Sequence, residues 1–187
     1  MQNLSSKERL IKATVEAIYE NGLHSVTTAK IAKKAELSEA MIYKHFGSKD
    51  DMIVETFMSI KEALNSAVEA SIDTGKSYEA QCYDVWLGHI VFFVEHEAYL
   101  RMIAQFEQSN YMTEAIRTTC LVKISTILNL FEKGIELGVF KPAHIEIVSA
   151  FFFAPILALS DSFIHKRLVM DEATLKLAFD STMKALG

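Results

Sequence analysis

The chain contains little of what interrupts helices or cross-links a protein. Among its 187 residues are two prolines, seven glycines and two cysteines. Because half of the residues are also hydrophobic, this composition excludes a disordered or collagen-like chain. The two cysteines, Cys82 and Cys120, do not support a disulfide framework, and an intracellular protein with reduced thiols is the simpler interpretation.

Long apolar segments are scarce as well. The N-terminal residues contain no apolar run followed by a small-residue cleavage site, so a signal peptide is not expected. The most apolar run, residues 147–159, includes Ser149 and Pro155 and is shorter than the roughly 20 residues that a membrane-spanning helix needs. These features predict a soluble, cytoplasmic protein without a membrane partner.

The charges are unevenly distributed along the chain. The net charge is −5, but residues 1–50 carry eight Lys/Arg against six Asp/Glu, and residues 51–187 carry eleven against eighteen. Residues 24–49 are the most basic part, with five lysines against Glu36 and Glu39. Binding to a phosphate backbone depends on the local field, so a small positive region on an acidic remainder is compatible with it.

Helices are predicted nearly throughout, since no segment shows sustained alternation of apolar and polar residues. Ser5 and Glu8 form the pattern of a capping box that opens the first helix, and Gly22 fits its end. Two short helices follow, over about 28–35 and after the natural N-cap Ser38.

Longer helices make up the remainder, giving about nine in all. A second capping pattern at Ser48 and Asp51 opens a long helix, and another long helix is predicted over 113–138, with an apolar stripe along one side. Pro142 suits the first turn of the next helix, whereas Pro155 lies inside that helix and should kink it.

The most informative segment is TTAKIAKKAELSEAMIYKHFGSK, residues 27–49. Its apolar residues follow a helical spacing that is interrupted once, around residues 36–38, and lysines and hydroxyl side chains lie between them. Two short helices that bury one face and present cations and hydroxyls on the other are typical of a helix-turn-helix that binds double-stranded DNA.

The pattern T-T-x-x-I-A-x-x-A-x-L-S-x-x-x-I-Y-x-H-F-x-S-K, from Thr27 to Lys49, resembles the N-terminal DNA-binding domain of the TetR family of transcriptional repressors. The resemblance implies an all-α fold with two parts. Residues 1–48 would be a three-helix head that carries the helix-turn-helix, and residues 49–187 a helical body for ligand binding and dimerisation.

Carried over position by position, the resemblance also implies which residues meet DNA. Thr27 and Thr28 would offer hydroxyl and N–H groups to phosphate at a helix N-terminus. Glu39, Ala40 and Lys44 would read bases. Glu39 could equally be an exposed acidic residue whose negative charge is favourable near the helix N-terminus. The predicted DNA-binding residues are Thr27, Thr28, Lys30, Ser38, Glu39, Ala40, Tyr43, Lys44, His45 and Lys49.

One departure from the family concerns Glu36, because many members have glycine in this turn. A left-handed conformation at Glu36 would cost roughly 1–2 kcal/mol. A packed head could absorb that cost, so the expected fold is unchanged.

Helix-turn-helix proteins usually dimerise across a near-palindrome, so a homodimer interface is expected. The helix predicted over about 144–166, which is apolar nearly all round, and the last helix are the predicted surface, as in the intersubunit four-helix bundle that the resemblance implies. The alternative is that these residues lie inside one subunit's core. The predicted interface residues are Phe151, Phe152, Ile156, Leu159, Phe163, Leu175 and Phe179.

Aromatic and methionine side chains in the middle of the body suit the lining of an apolar pocket for a small-molecule effector, although each could be ordinary core. The predicted ligand-binding residues are Trp86, Phe92, Phe93, Tyr99, Met102, Phe106 and Phe131. Neither a metal nor another cofactor is expected, because His89 and His96 lie seven residues apart rather than three or four.

The sequence thus predicts a one-component transcriptional regulator, a repressor that binds an inverted-repeat operator as a dimer and is released by a small apolar or aromatic ligand. The alternative is a DNA-binding dimer without an effector, controlled by its abundance or by a protein partner. An enzyme is not expected, because the chain has no Glu-x-x-His pair, glycine-rich phosphate loop or nucleophile elbow.

Overall fold

The structure, a computed structural model, describes residues 4–141 and 144–187. In these two ranges the chain forms ten α-helices and no β-strand, which confirms the predicted all-α class. The helices are α1 (Ser6–Asn21), α2 (Thr28–Ala35), α3 (Glu39–Phe46), α4 (Lys49–Ser71), α5 (Tyr78–Glu95), α6 (Glu97–Glu107), α7 (Glu114–Lys123), α8 (Ser125–Glu136), α9 (Ile145–Ile164) and α10 (Glu172–Leu186).

A break at Ile124 accounts for the additional helix. The single long helix predicted over 113–138 is wrong, because Ile124 leaves helical geometry with φ −104° and ψ 20° and separates α7 from α8. Its N–H donates to the carbonyl of Leu121, three residues back instead of four. No residue of α7 is buried, so the apolar stripe predicted along the long helix does not form a core there.

The long apolar helix predicted over about 144–166 is confirmed as α9, Ile145–Ile164. α9 runs through Pro155 for 20 residues and, by length and composition alone, is apolar enough to cross a membrane. Only 28% of its most apolar window is buried. The 13-residue apolar run in the sequence is therefore the central part of a longer apolar helix. Pro142, predicted in its first turn, lies outside the described residues.

The chain divides into two compact units. The first consists of Met1–Glu62 with Ala98–Thr118, and the second of Ala63–Glu97 with Thr119–Gly187. This division describes packing, and the functional division predicted at residue 48 stays a prediction.

The first unit is built on the mutual packing of α1, α2 and α3. Leu10, Ile31 and Ile42, one from each helix, have no exposed surface. The predicted capping box opens α1: the Ser5 hydroxyl accepts from the N–H of Glu8 at 3.3 Å, and the Glu8 carboxylate accepts from the N–H of Ser5 at 2.7 Å.

Residues 98–118 add a brace to this unit. The ring of Phe106 on α6 stacks on Phe57 of α4, with centroids 3.8 Å apart and planes within 4°. The side-chain oxygen of Gln105 accepts a hydrogen bond of 2.8 Å from the N–H of Leu23, just after α1 ends. α6 thereby holds both α4 and the end of α1.

Glu36 lies in the left-handed region, with φ 53° and ψ 45°, as the turn between α2 and α3 requires. Arg9 of α1 supports this turn. Its guanidinium donates to the carbonyl of Ala35 at 2.5 Å and to the carbonyl and carboxylate of Glu36, both at 3.3 Å. The head therefore holds a strained residue in place with hydrogen bonds from a neighbouring helix.

Replacing Glu36 with glycine is expected to raise the free energy of unfolding by about 1 kcal/mol, because glycine adopts positive φ without the steric cost of a Cβ. Urea unfolding followed by circular dichroism measures the change. Glu36→Ala is the matched control, since it also removes the carboxylate but retains the Cβ. Equal stability of the two variants would show that strain at this position costs nothing.

The second unit is organised around α9, which packs most extensively on α5 and also on α8 and α10. Trp86 and Phe152 lie fully buried in its core. Gly134 allows α8 to approach closely, because a Cβ there would clash with the Tyr78 hydroxyl and lie 2.6 Å from a ring carbon of Phe140.

Candidate nucleic-acid interface

Each of the two short helices begins at a residue with extended backbone and a hydroxyl side chain. Thr27 caps α2, where its hydroxyl oxygen accepts from the N–H of Lys30 at 3.3 Å. Ser38 occupies the N-cap position of α3 but makes no side-chain capping bond. Its exposed hydroxyl and the first N–H groups of α3 therefore form a set of donors suited to an anion.

α3 has one buried face and one exposed face. Ile42 is fully buried and Phe46 is 8% exposed, so these two residues fix the helix against the head. Glu39 and Tyr43 lie four residues apart on the opposite side, as do Ala40 and Lys44, and all four are exposed. Tyr43 exposes 54% of its surface, which is unusual for an aromatic residue without a partner.

The remaining predicted DNA-binding residues also lie at or near the surface. Thr27, Lys30 and Ser38 are exposed, whereas Thr28, His45 and Lys49 are half-buried. The Nε2 atom of His45 is buried and has no hydrogen-bond partner in the described part of the chain, which leaves Nδ1 as the candidate for a phosphate contact. The structure thus places the ten residues on α2, α3 and their flanks, and their roles toward DNA stay predictions.

The lysines of α2 differ in their partners. The Lys34 ammonium lies 2.8 Å from a carboxylate oxygen of Glu20 and 3.7 Å from one of Glu16. The hydrogen bond to Glu20 raises the pKa of Lys34 above its ordinary value. Lys30 instead donates to the neutral amide oxygen of Asn21 at 3.1 Å. Lys30 therefore keeps more of its electrostatic field for a phosphate than Lys34 does, and its contact with DNA stays a prediction.

Tyr111 is a residue near this surface that the sequence did not indicate. Its hydroxyl donates to Asp50 Oδ1 at 2.7 Å, next to Lys49 at the start of α4. Burial and the hydrogen bond to Asp50 raise the pKa of Tyr111 to about 12, so it is a neutral donor at physiological pH. The bond fixes the Asp50 carboxylate beside a predicted phosphate contact. No local signal could have found it, because 61 residues separate the partners.

The predicted ligand-binding residues fall in both compact units. Tyr99, Met102 and Phe106 belong to the first unit, where Met102 and Phe106 have no exposed surface. Trp86, Phe92, Phe93 and Phe131 belong to the second, and all four are buried. Within that second unit, Trp86 contacts Phe179 and Phe131 contacts Phe152, with centroids 5.7 and 4.8 Å apart. Their role in ligand binding stays a prediction.

Most of the predicted dimer-interface residues are buried within one chain. They are Phe152, Ile156, Phe163, Leu175 and Phe179, each at most 9% exposed. Leu159 is half-buried, whereas Phe151 is 53% exposed. Phe151 is thus the member of the set that a second subunit could reach without rearrangement.

The exposed apolar face of α9 contains residues that the sequence did not single out. Ile147, Phe151, Ala154 and Ala158 recur at intervals of four, three and four residues, and all are exposed. Leu177 on α10 is 70% exposed. α9 is apolar on nearly every side, so its sequence could not reveal which side faces outward.

Comparison with known proteins finds a family model and curated relatives that match the N-terminal region. Residues 10–56 match the family model described as bacterial regulatory proteins, tetR family. The chain is 40% identical over 62 residues to the HTH-type transcriptional regulator BetI of Stenotrophomonas maltophilia strain R551-3, a match that covers 33% of this chain and 32% of that protein. The matched region is thus about a third of the length of such curated relatives.

Solved structures resemble the whole chain in fold. A TetR family transcription regulator from Marinobacter aquaeolei VT8 has a TM-score of 0.90 at 24% identity, covering 97% of this chain and 95% of that one. The transcriptional regulator FadR from Bacillus subtilis, solved in complex with stearoyl-CoA, has a TM-score of 0.72 at 19% identity, covering 95% of both chains. The resemblance inferred from residues 27–49 is therefore confirmed.

Proposed function

We propose, on the premise that residues 10–56 make this chain a member of the tetR family of bacterial regulatory proteins, that it is a cytoplasmic, one-component transcriptional repressor. The carrying observation is the exposed face of α3, which presents Glu39, Ala40, Tyr43 and Lys44 and begins after Ser38, whose hydroxyl makes no capping bond. A helix of this kind fits the major groove and presents side chains to base edges. This role requires no cofactor and no catalytic group.

The contacts divide into two kinds. Thr27, Tyr43 and Lys49 bind phosphate oxygens, which set the register of the head on the duplex without reading sequence. Glu39 accepts from a cytosine amino group, and Ala40 packs on a thymine methyl. Glu39 is exposed and lies in the first turn of α3, which supports its access to a base edge.

The repressor is a homodimer that binds an inverted repeat. The exposed stripe of Ile147, Phe151, Ala154 and Ala158, with Leu177 on α10, supports a second copy as the cover for α9. Alanines in such a stripe let two helices approach closely, and Phe151 supplies an aromatic anchor of the type that dominates interface energies. Two copies bring two heads to one operator, where half-sites are separated by about 34–36 Å or a multiple.

A small, largely apolar molecule releases the repressor from its operator. In this mechanism the ligand favours a conformation of the body in which the two heads no longer match the spacing of the half-sites. FadR of Bacillus subtilis, a structural neighbour, was solved with stearoyl-CoA, which supports a ligand with a long apolar part. Equal affinity of the effector for free and operator-bound protein would contradict this mechanism.

Selection from a random duplex library with purified protein tests the DNA-binding role directly. We expect enrichment of an inverted repeat. Glu39→Ala should relax the preference at one base position per half-site, whereas Tyr43→Phe should weaken binding to all enriched sequences alike, because it removes a phosphate contact. Absence of any enrichment at low salt would overturn the proposal.

A DNA-binding dimer without an effector is the second candidate. A thermal-shift screen across metabolites and stearoyl-CoA separates the two, since a ligand that binds the folded state raises the melting temperature. If no compound shifts the melting temperature while the inverted repeat is still enriched, control by abundance or by a protein partner is the better account.

A further inference from the structure

Two polar side-chain atoms in the core of the second unit have no hydrogen-bond partner among the described residues: Trp86 Nε1 and Ser160 Oγ. Both residues have no exposed surface. Buried polar atoms are paired in the great majority of cases, because an unpaired donor has lost its water without replacement. Both atoms therefore retain hydrogen-bonding capacity that no described residue uses.

The Ser160 hydroxyl differs from comparable hydroxyls in this chain. The buried residues Thr14, Thr56 and Thr182 each donate to the carbonyl four residues earlier, at 2.8, 2.7 and 3.0 Å. On α9 itself, Ser162 donates to the carbonyl of Ala158 at 2.8 Å. The Ser160 hydroxyl does not make the corresponding hydrogen bond to the carbonyl four residues earlier. It is therefore available to a group outside the helix.

The two atoms lie at a similar level of the bundle. The Trp86 ring is 5.7 Å from that of Phe179 on α10. α9 and α10 are joined by the short loop 165–171 and pack on each other, so they are antiparallel. Counted from that loop, Ser160 lies about one helical turn from the level of Phe179. One turn is about 5.4 Å along the helix axis, so the two residues lie at nearly the same depth of the bundle.

The chemistry of the surroundings limits what this group can be. Both atoms can donate a hydrogen bond, and Tyr83 and Phe179 provide aromatic surface beside Trp86. The buried polar and charged residues of the described chain include no lysine or arginine. Among the described buried residues His89 is the one side chain that could take up a positive charge, and its Nδ1 lies 2.8 Å from the carbonyl oxygen of Val85. A buried anion would thus have no permanently charged partner, which is unfavourable, whereas an uncharged acceptor needs only the two donors.

We propose that Trp86 and Ser160 bind the carbonyl oxygen of an uncharged, largely apolar molecule, such as a ketone, ester or lactone. This inference rests on the proposed function, because it names the chemical class of the effector. The proposal also gives two predicted ligand-binding residues different roles. Trp86 orients the ligand through its N–H, whereas Phe131 offers apolar surface only.

Three probes of nearly equal size test the chemistry: acetophenone, ethylbenzene and benzoate. Trp86 is the only tryptophan, so its indole N–H gives a single resonance in ¹⁵N-labelled protein. We expect acetophenone to shift this resonance and, by calorimetry, to bind at least about tenfold more tightly than the other two, the effect of one hydrogen bond. Equal affinities, or an unmoved indole resonance, would overturn the proposal.

Ser160→Ala is the decisive variant, because it removes only the hydroxyl oxygen and adds no bulk to the core. It should weaken acetophenone binding about tenfold and leave ethylbenzene unaffected. Trp86→Phe should do the same, with melting temperature as the check that the fold survives. Unchanged acetophenone affinity in Ser160→Ala would exclude Ser160 from the site.

Operator binding by the same preparations separates the two hypotheses. Wild type and Ser160→Ala should enrich the same DNA in the absence of a probe. DNA binding without selective acetophenone binding would refute this inference but not the proposed function as a transcriptional regulator. Selective acetophenone binding without DNA enrichment would refute the proposed function but would support the carbonyl-binding site.

Discussion

Replacement of Phe106 by alanine is expected to lower the free energy of unfolding of the first unit by about 3–5 kcal/mol. Phe106 has no exposed surface and stacks on Phe57 at 3.8 Å. Alanine would leave a cavity between α4 and α6 and remove the stacking contact. The loss should extend to DNA binding, because the neighbouring Gln105 holds the segment that joins α1 to α2.

Urea unfolding monitored by far-ultraviolet circular dichroism gives the size of this effect. Val122→Ala is the matched control: it also truncates an apolar side chain, but Val122 is 69% exposed and should change stability by less than about 0.5 kcal/mol. A loss below about 1 kcal/mol in Phe106→Ala would mean that α6 is not a structural part of the first unit.

Replacement of Phe151 by glutamate is expected to convert the proposed dimer to a monomer and to weaken operator binding by about 100-fold or more. A central aromatic anchor contributes about 2–4 kcal/mol to an interface, and a charge at its position would be buried without a partner. One head alone also contacts only one half-site. Sedimentation velocity and fluorescence anisotropy with the selected operator measure the two effects.

Phe151 is 53% exposed in a single chain, so the substitution should leave the protomer folded. Val122→Glu places the same charge at another exposed apolar position and should leave both dimerisation and operator affinity unchanged. A dimeric Phe151→Glu protein would show that the exposed stripe of α9 is not the interface, and the search would then move to the other exposed apolar side chains.

The helix boundaries near recognisable end residues could be predicted because their causes are local. The capping box at Ser5 and Glu8, the N-cap Ser77 and the N-cap Asp171 each place a hydroxyl or carboxylate where the first N–H groups need an acceptor. The left-handed turn at Glu36 was equally accessible, since the family pattern places glycine there. These features depend on residues at most four positions apart.

Features that depend on distant residues could not be predicted. Gln105 and Leu23 are separated by 82 residues, and a glutamine side chain gives no signal of its partner. The prediction of one unbroken helix across Ile124 failed for a different reason. The apolar spacing continues through Ile124 without a proline or glycine, so the sequence gives no sign of the break. On α9 the spacing itself was uninformative: Phe151 and Phe152 are adjacent and equally apolar, yet one is 53% exposed and the other fully buried.

The first unit has a consequence for synthesis on the ribosome, because its two segments are separated in the chain. Residues up to Glu62 emerge first, and their brace, Ala98–Thr118, follows only after residues 63–97 have been translated. At roughly 5–20 residues per second this delay lasts several seconds. During that interval Phe57 lacks its stacking partner Phe106, so the nascent N-terminal segment exposes an apolar side chain until residues 98–118 have been made.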